Sequence, residues 1–186
     1  MDFSIKKLKE IGSKISDKEV KSVLERIEIK PGQTVMDLGA GAGIYTLAIA
    51  DAIGKDGHVY SVDTRKEILA YIESQATDKG FNNITYIEAE SPIYDINQSS
   101  LDIIFTRNVL HHLPAAIDYI TRLNDYLKDE GLLVLIDHSK GANIPGHSDD
   151  DFYTVDLVKE LGINAGYSFY KTFDVKKNKL FVILKK

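Results

Sequence analysis

Val35-Met36-Asp37-Leu38-Gly39-Ala40-Gly41-Ala42-Gly43-Ile44 is the stretch that decides the fold. An apolar run closes on an acid and three glycines follow at alternate positions. Ile44, Leu47, Ala48 and Ala52 then take up helical spacing. This order predicts a strand, a tight glycine turn and a helix. Backbone without a Cβ turns sharply and lets a ligand come close. The helix start behind it presents unpaired N–H groups to an anion.

A glycine loop after a strand also serves dinucleotides. Here the third glycine is Gly43, whereas a dinucleotide fingerprint places its third small residue where Ile44 stands. The strand also delivers Asp37, a carboxylate that repels a pyrophosphate and suits a cation. The stretch resembles the first motif of class I S-adenosylmethionine-dependent methyltransferases, whose cofactor carries a sulfonium and an ammonium. The plain alternative is a glycine turn used only for packing.

With 186 residues the chain is long enough for one domain with a proper core. The expectation is a single domain over 1–186, with an N-terminal helical cap segment over 1–30 and a Rossmann-like core over 34–186. The net charge of −5 argues against nucleic acid as a partner. No apolar run approaches the roughly 18 residues of a membrane span. Absence of cysteine excludes disulfides, a thiolate metal site and a cysteine nucleophile. The start Met1-Asp2-Phe3-Ser4-Ile5-Lys6-Lys7 lacks a signal peptide's apolar centre, so a cytoplasmic protein is expected. Lysines at both ends read as solvated surface.

Upstream of the glycines, Ser16 and Glu19 have capping-box spacing, and Val20, Val23, Leu24 and Ile27 share a helical face until Pro31-Gly32. Downstream, Gly54 to Gly57 is a turn, and His58 to Val62 alternates into a second strand ending at Asp63. Asp63 lies 24 residues past Gly39, near the spacing at which an acid meets a ribose in mononucleotide-binding βαβ units. As a helix N-cap it would have a purely local role. Ile68, Leu69, Ile72 and Ala76 form the next helical face, and Asn83 to Ile87 a third strand running into Glu88-Ala89-Glu90-Ser91.

Leu101 to Phe105 is nearly all apolar, as a buried parallel strand should be. It leads into Thr106-Arg107-Asn108-Val109-Leu110-His111-His112-Leu113-Pro114, which resembles the fourth motif of the family's small-molecule, quinone-methyltransferase-like branch. A helix follows from Pro114 with Ile117, Ile120, Leu123 and Leu127 on one face, ended by Asp129-Glu130-Gly131. Leu132 to Ile136 is a fifth strand delivering Asp137 and His138, followed by a brief loop. Asp149 to Asp151 are expected to cap a helix with the face Phe152, Val155, Val158 and Leu161. Phe169, Phe173 and Val175, a turn at Lys176 to Lys179, and Leu180 to Leu184 make a closing hairpin.

The resemblance covers most of the chain. It implies an α/β, Rossmann-like, doubly wound and mainly parallel seven-stranded sheet with an antiparallel C-terminal strand. It implies S-adenosylmethionine as cofactor, bound by Asp37, Gly39, Ala40, Gly41, Gly43, Asp63, Thr64, Glu90, Ser91, Arg107 and Asn108. The reaction implied is methyl transfer to a small-molecule acceptor, for which Asn-Pro-Pro-Tyr, the signature of planar nitrogen acceptors, is absent. Histidine suits an acceptor that must lose a proton. His138 and His111 are the candidate catalytic residues, His112 and His147 the remaining histidines at hand, and Tyr153 a candidate substrate contact. No ligand spacing supports a metal. Three forms of acceptor pocket stay open: one left open, one completed by a partner subunit such as a second copy of the chain in a homodimer, and one shaped for a macromolecular acceptor. Two other readings stay open: a cofactor-binding, catalytically weak partner module, and a nicotinamide-dependent oxidoreductase, against which Asp37 and the glycine spacing speak.

Overall fold

The computed structural model describes residues 5–89, 91–113, 115–175 and 177–186, apart from the side chains of Ile5, Leu8 and Ile11. Glu90, expected to bind cofactor, Pro114, expected to start a helix, and Lys176, expected in a turn, lie outside the described residues. The chain forms two compact units, Met1–Glu90 and Ser91–Lys186.

In the first unit, α1 (Ile5–Gly12) and α2 (Asp17–Arg26) precede β1 (Thr34–Leu38). Then come α3 (Ile44–Ile53), β2 (His58–Asp63), α4 (Lys66–Asp78) and β3 (Ile84–Glu88). The Ser16 hydroxyl accepts the Glu19 N–H at 3.2 Å, as the capping-box spacing requires, and Val20, Val23 and Ile27 are buried. Helix α1 is an addition to the expected elements. Its last residue sits so close to the glycine loop that a Cβ on Gly12 would meet the Ala42 Cβ at 3.0 Å.

Strand β1 pairs in parallel with β2, from Thr34 opposite His58 to Leu38 opposite Val62. Strand β2 pairs in parallel with β3, ending with Asp63 opposite Glu88. Parallel pairing needs crossovers, which α3 and α4 supply, so the three carboxyl ends share one edge of this unit's sheet. Helix α4 buries Ile68, Leu69, Ile72 and Ala76, the face that the spacing predicts. Arg65, not Asp63, occupies its N-cap position.

The second unit contains β4 (Leu101–Arg107), a 3-10 turn (Leu110–His112), α5 (Ala116–Tyr126) and β5 (Leu127–His138). A second 3-10 turn (Asp149–Asp151), α6 (Val155–Asn164), β6 (Ser168–Thr172) and β7 (Lys179–Lys185) complete it. Strand β4 runs parallel to β5, and β7 lies antiparallel to both β5 and β6. The closing hairpin is therefore present. Strand β4 buries Leu101, Ile103, Ile104 and Phe105 almost completely.

Four expectations are corrected here. Helix α5 ends at Tyr126 instead of at Asp129 to Gly131, because Leu127 is already paired with Leu101 and fully buried in the sheet. The register between Leu101 and Ile103 then shifts, which absorbs the extra residues before Leu132 pairs beside β7. The aspartates Asp149 to Asp151 form their own turn, and α6 is capped by Thr154, whose hydroxyl accepts the Leu157 N–H at 3.2 Å. Phe152 consequently belongs to the connection, where it is buried to 1% exposure. That connection is not brief: it runs from 139 to 154. Among the described residues, no helix is long and apolar enough to cross a membrane.

Candidate functional site

The glycine loop of the first unit is stitched to the end of β2. The N–H groups of Gly39 and Ala40 both donate to the Val62 carbonyl, at 2.8 and 3.0 Å, and the Gly43 N–H donates to Ala40 at 2.9 Å. Gly41 and Gly43 have φ of 53° and 76°, where other L-residues are strained. Their surroundings differ. A Cβ on Gly43 would stand 2.8 Å from Ile72 Cγ1, so this glycine serves the seating of α4. A Cβ on Gly41 would meet nothing nearer than the Gly39 carbonyl at 3.8 Å. Packing accounts for Gly43; at Gly41 only the left-handed backbone calls for glycine, and open room lies beside it.

Asp63 is brought to this loop. Its Oδ2 accepts the Gly41 N–H at 3.0 Å and its Oδ1 accepts the Arg65 N–H at 3.2 Å, with Arg65 Nε at 3.8 Å. Thr64 follows it, exposed on the turn. Asp37 lies deeper, 3% exposed, with Oδ2 accepting the Thr46 hydroxyl at 2.6 Å. Burial drives its carboxyl up to about 7, the Thr46 bond opposes that rise, and the charge of Asp63 adds to it. Thr46 was not among the expected residues. Its only signal is a small hydroxyl residue within the mainly apolar Ile44-Tyr45-Thr46-Leu47-Ala48-Ile49.

In the second unit, Ser91 is exposed and Arg107 ends β4 half-buried. Asn108 adopts φ of 57°, a left-handed conformation that asparagine tolerates, while its N–H donates to the Ile136 carbonyl at 2.8 Å. Its Oδ1 is buried without a hydrogen bond among the described residues. Leaving such an acceptor unsatisfied costs about 1–3 kcal/mol, which a donor on a ligand would offset.

The histidines gather at the ends of β4 and β5. Asp137, 2% exposed, accepts the His111 N–H at 3.2 Å, His111 Nδ1 at 2.6 Å and the His138 N–H at 2.6 Å. The His111 side chain is 5% exposed. Its ring lies 5.2 Å from that of Phe152, 4.0 Å from His112, 4.8 Å from His147 and 6.2 Å from His138. Burial, then the neighbouring Lys179, pull His138 below the ordinary imidazole value. Burial and the other two imidazoles do the same to His112. Tyr153 is half-buried, and its backbone pairs with Ser139 and Lys140.

A model of the methyltransferase domain family matches residues 29–178, which is most of the chain and reaches into both units. The chain belongs to that family. A crystal structure of a SAM-dependent methyltransferase from Aquifex aeolicus superposes with a TM-score of 0.85. It is 24% identical, and the match covers 99% of each chain. That likeness shows the fold, α/β and Rossmann-like with seven strands, the last antiparallel. Phosphoethanolamine N-methyltransferase 2 of Caenorhabditis elegans is 27% identical over 74% of this methyltransferase-family chain and 30% of its own length. The ubiquinone/menaquinone biosynthesis C-methyltransferase of Teredinibacter turnerae is 25% identical over 76% of this chain and 57% of its own. The chain thus spans between under a third and just over half of these curated relatives.

Proposed function

We propose that this chain is an S-adenosylmethionine-dependent methyltransferase acting on a small-molecule acceptor, residing in the cytoplasm and working with no membrane or nucleic-acid partner. The carrying observation is the Gly41 loop. Its backbone keeps one face open where packing does not need it, with Asp63 and the buried Asp37 beside it. Those two carboxylates fit a ligand that carries ribose hydroxyls and positive charge, and disfavour a pyrophosphate or a 2′-phosphate. The names of the relatives, a phosphoethanolamine and a quinone-pathway methyltransferase, support small acceptors.

The cofactor supplies a methyl group already activated by its sulfonium. The protein's part is alignment and exclusion of water, with charge placed to suit the cation. Asp63 accepts ribose hydroxyls, and Gly39, Ala40, Gly41, Gly43 and Thr64 shape the approach. In the second unit Ser91, Arg107 and Asn108 are the proposed contacts, with Asn108 Oδ1 offering its unused lone pairs to an N–H or O–H donor. An acceptor that loses a proton passes it to histidine. His138 stands half-buried, with burial and Lys179 holding it below the ordinary imidazole value, and His111 is held by Asp137 through Nδ1.

Calorimetric titration of the protein with S-adenosylmethionine, S-adenosylhomocysteine and NADH tests this reading. Binding of the first two without NADH is expected. Binding of NADH alone would overturn it.

A further inference from the structure

Three imidazoles converge in the second unit. One ligating nitrogen each from His111, His112 and His147 lies within 4.8 Å of the others. The first two stand on the 3-10 turn after β4 and the third on the connection after β5. Two of these rings have a carboxylate beside Nδ1, the kind of outer partner that orients metal-binding histidines. A carboxylate only accepts hydrogen bonds, so Asp137 at 2.6 Å keeps the proton of His111 on Nδ1 and leaves the lone pair on Nε2. Asp151 Oδ2 stands 3.4 Å from Nδ1 of His147, close enough to back that ring in the same way once it turns to a metal. Asp151 is itself fixed by the turn it closes, accepting the Ser148 N–H at 2.8 Å.

We propose that His111, His112 and His147 bind a divalent transition-metal ion of the zinc class. The donor set selects the ion: three imidazoles without a ligating carboxylate suit Zn²⁺ or Co²⁺, whereas Mg²⁺ and Ca²⁺ require oxygen. Zinc–nitrogen bonds of about 2.0–2.1 Å in a tetrahedron set the nitrogens roughly 3.4 Å apart. The wider spread here closes by side-chain rotation of His112, which is exposed, and His147, which sits beside Gly146 at φ of 88°. His111 stays fixed on Asp137. Three protein ligands leave a position for water, as at catalytic zinc sites.

The site does not depend on methyl transfer, but it sharpens the choice of base. Metal on Nε2 of His111 occupies the lone pair that proton abstraction needs, which assigns that task to His138.

The test uses untagged, full-length protein freed of metal by dialysis against a chelator. It is titrated with Zn²⁺ by calorimetry and with Co²⁺ by visible absorption, with Mg²⁺ in parallel. One Zn²⁺ per chain is expected, together with the intense d–d bands of low-coordinate Co²⁺ and no response to Mg²⁺. Asp151→Asn should weaken Zn²⁺ about tenfold, as loss of an outer carboxylate does. His112→Gln, at an exposed position that leaves folding intact, and His147→Gln should each weaken it further, while His138→Gln retains wild-type Zn²⁺ affinity. Absence of stoichiometric Zn²⁺ binding, or wild-type affinity in both His112→Gln and His147→Gln, overturns the proposal. S-adenosylmethionine binding, measured on the same metal-free protein, reports separately on the cofactor reading.

Discussion

The glycine loop of the first unit and the histidine cluster of the second are built from different materials. The loop is main chain: the N–H groups of Gly39 and Ala40 pair with Val62 and that of Gly41 with Asp63, and its shape depends on residues lacking a Cβ. The cluster is side chain: rings and carboxylates from residues 111–112, 137–138 and 147–152, brought together by a strand end and two short turns. A backbone site is specified within its own stretch of sequence. A side-chain site is specified by everything that sets the path of the loops, and it can be rearranged by rotating a single χ angle.

The largest expected effect concerns the carboxylate behind the loop. Asp37 rises from 3.8 to about 7 on folding, so between those values the folded chain holds a proton that the unfolded chain has released. The stability it contributes is fully present below 3.8 and is lost as pH rises to about 7, at up to roughly 1.4 kcal/mol per pH unit. Urea unfolding across that range should show Asp37→Asn gaining on the wild type as pH rises. Parallel curves would mean that Asp37 ionises as freely in the fold as in the unfolded chain.

Gly43→Ala comes next. It forces a Cβ to 2.8 Å from Ile72 Cγ1 and a left-handed conformation on alanine, together about 3 kcal/mol. The midpoint of denaturation should fall accordingly, and a loss under about 1 kcal/mol would show that α4 yields easily. Asp137→Asn is the matching test in the cluster. An amide keeps the shape but loses the charge that gathers three donors, so about 2 kcal/mol is expected, with His111 freed to change tautomer. Nitrogen-15 NMR of the imidazoles reads the tautomer directly, and an unchanged Nδ1–H form would break the contrast drawn here.

Asp63→Ala is the smallest. Loss of charge-assisted bonds to ribose should weaken S-adenosylmethionine by about 1.5 kcal/mol, roughly tenfold in Kd. The Gly41 N–H loses its partner in the same step. Calorimetry giving wild-type affinity would remove Asp63 from the cofactor's surroundings.

The parallel strands, the glycine turn and the closing hairpin were legible because each is announced locally. Apolar runs end in acids, glycines stand where φ is positive, and Phe169 to Leu184 alternates around a lysine turn. The end of α5 was not, because Leu127 satisfies a helical face and a buried strand equally well, and only pairing with Leu101 decides between them. Asp149 to Asp151 look like a helix cap, yet Thr154 lies closer to α6 and takes that role. All four histidines around the cluster were visible as residue types. Their convergence was not, since it depends on how 139–154 is folded back, and Thr46 beside Asp37 was lost inside an apolar helix.

Strand β6 ends the second unit's strand order and shifts register against β7 between Phe169 and Lys171. An offset of this kind twists the outer row of peptide groups away from the flat ladder that another extended chain needs, and a lysine stands at the same point. Self-recognition along that border by main-chain pairing is therefore discouraged. Any copy that docks there must be held through the exposed rings of Phe169 and Tyr170.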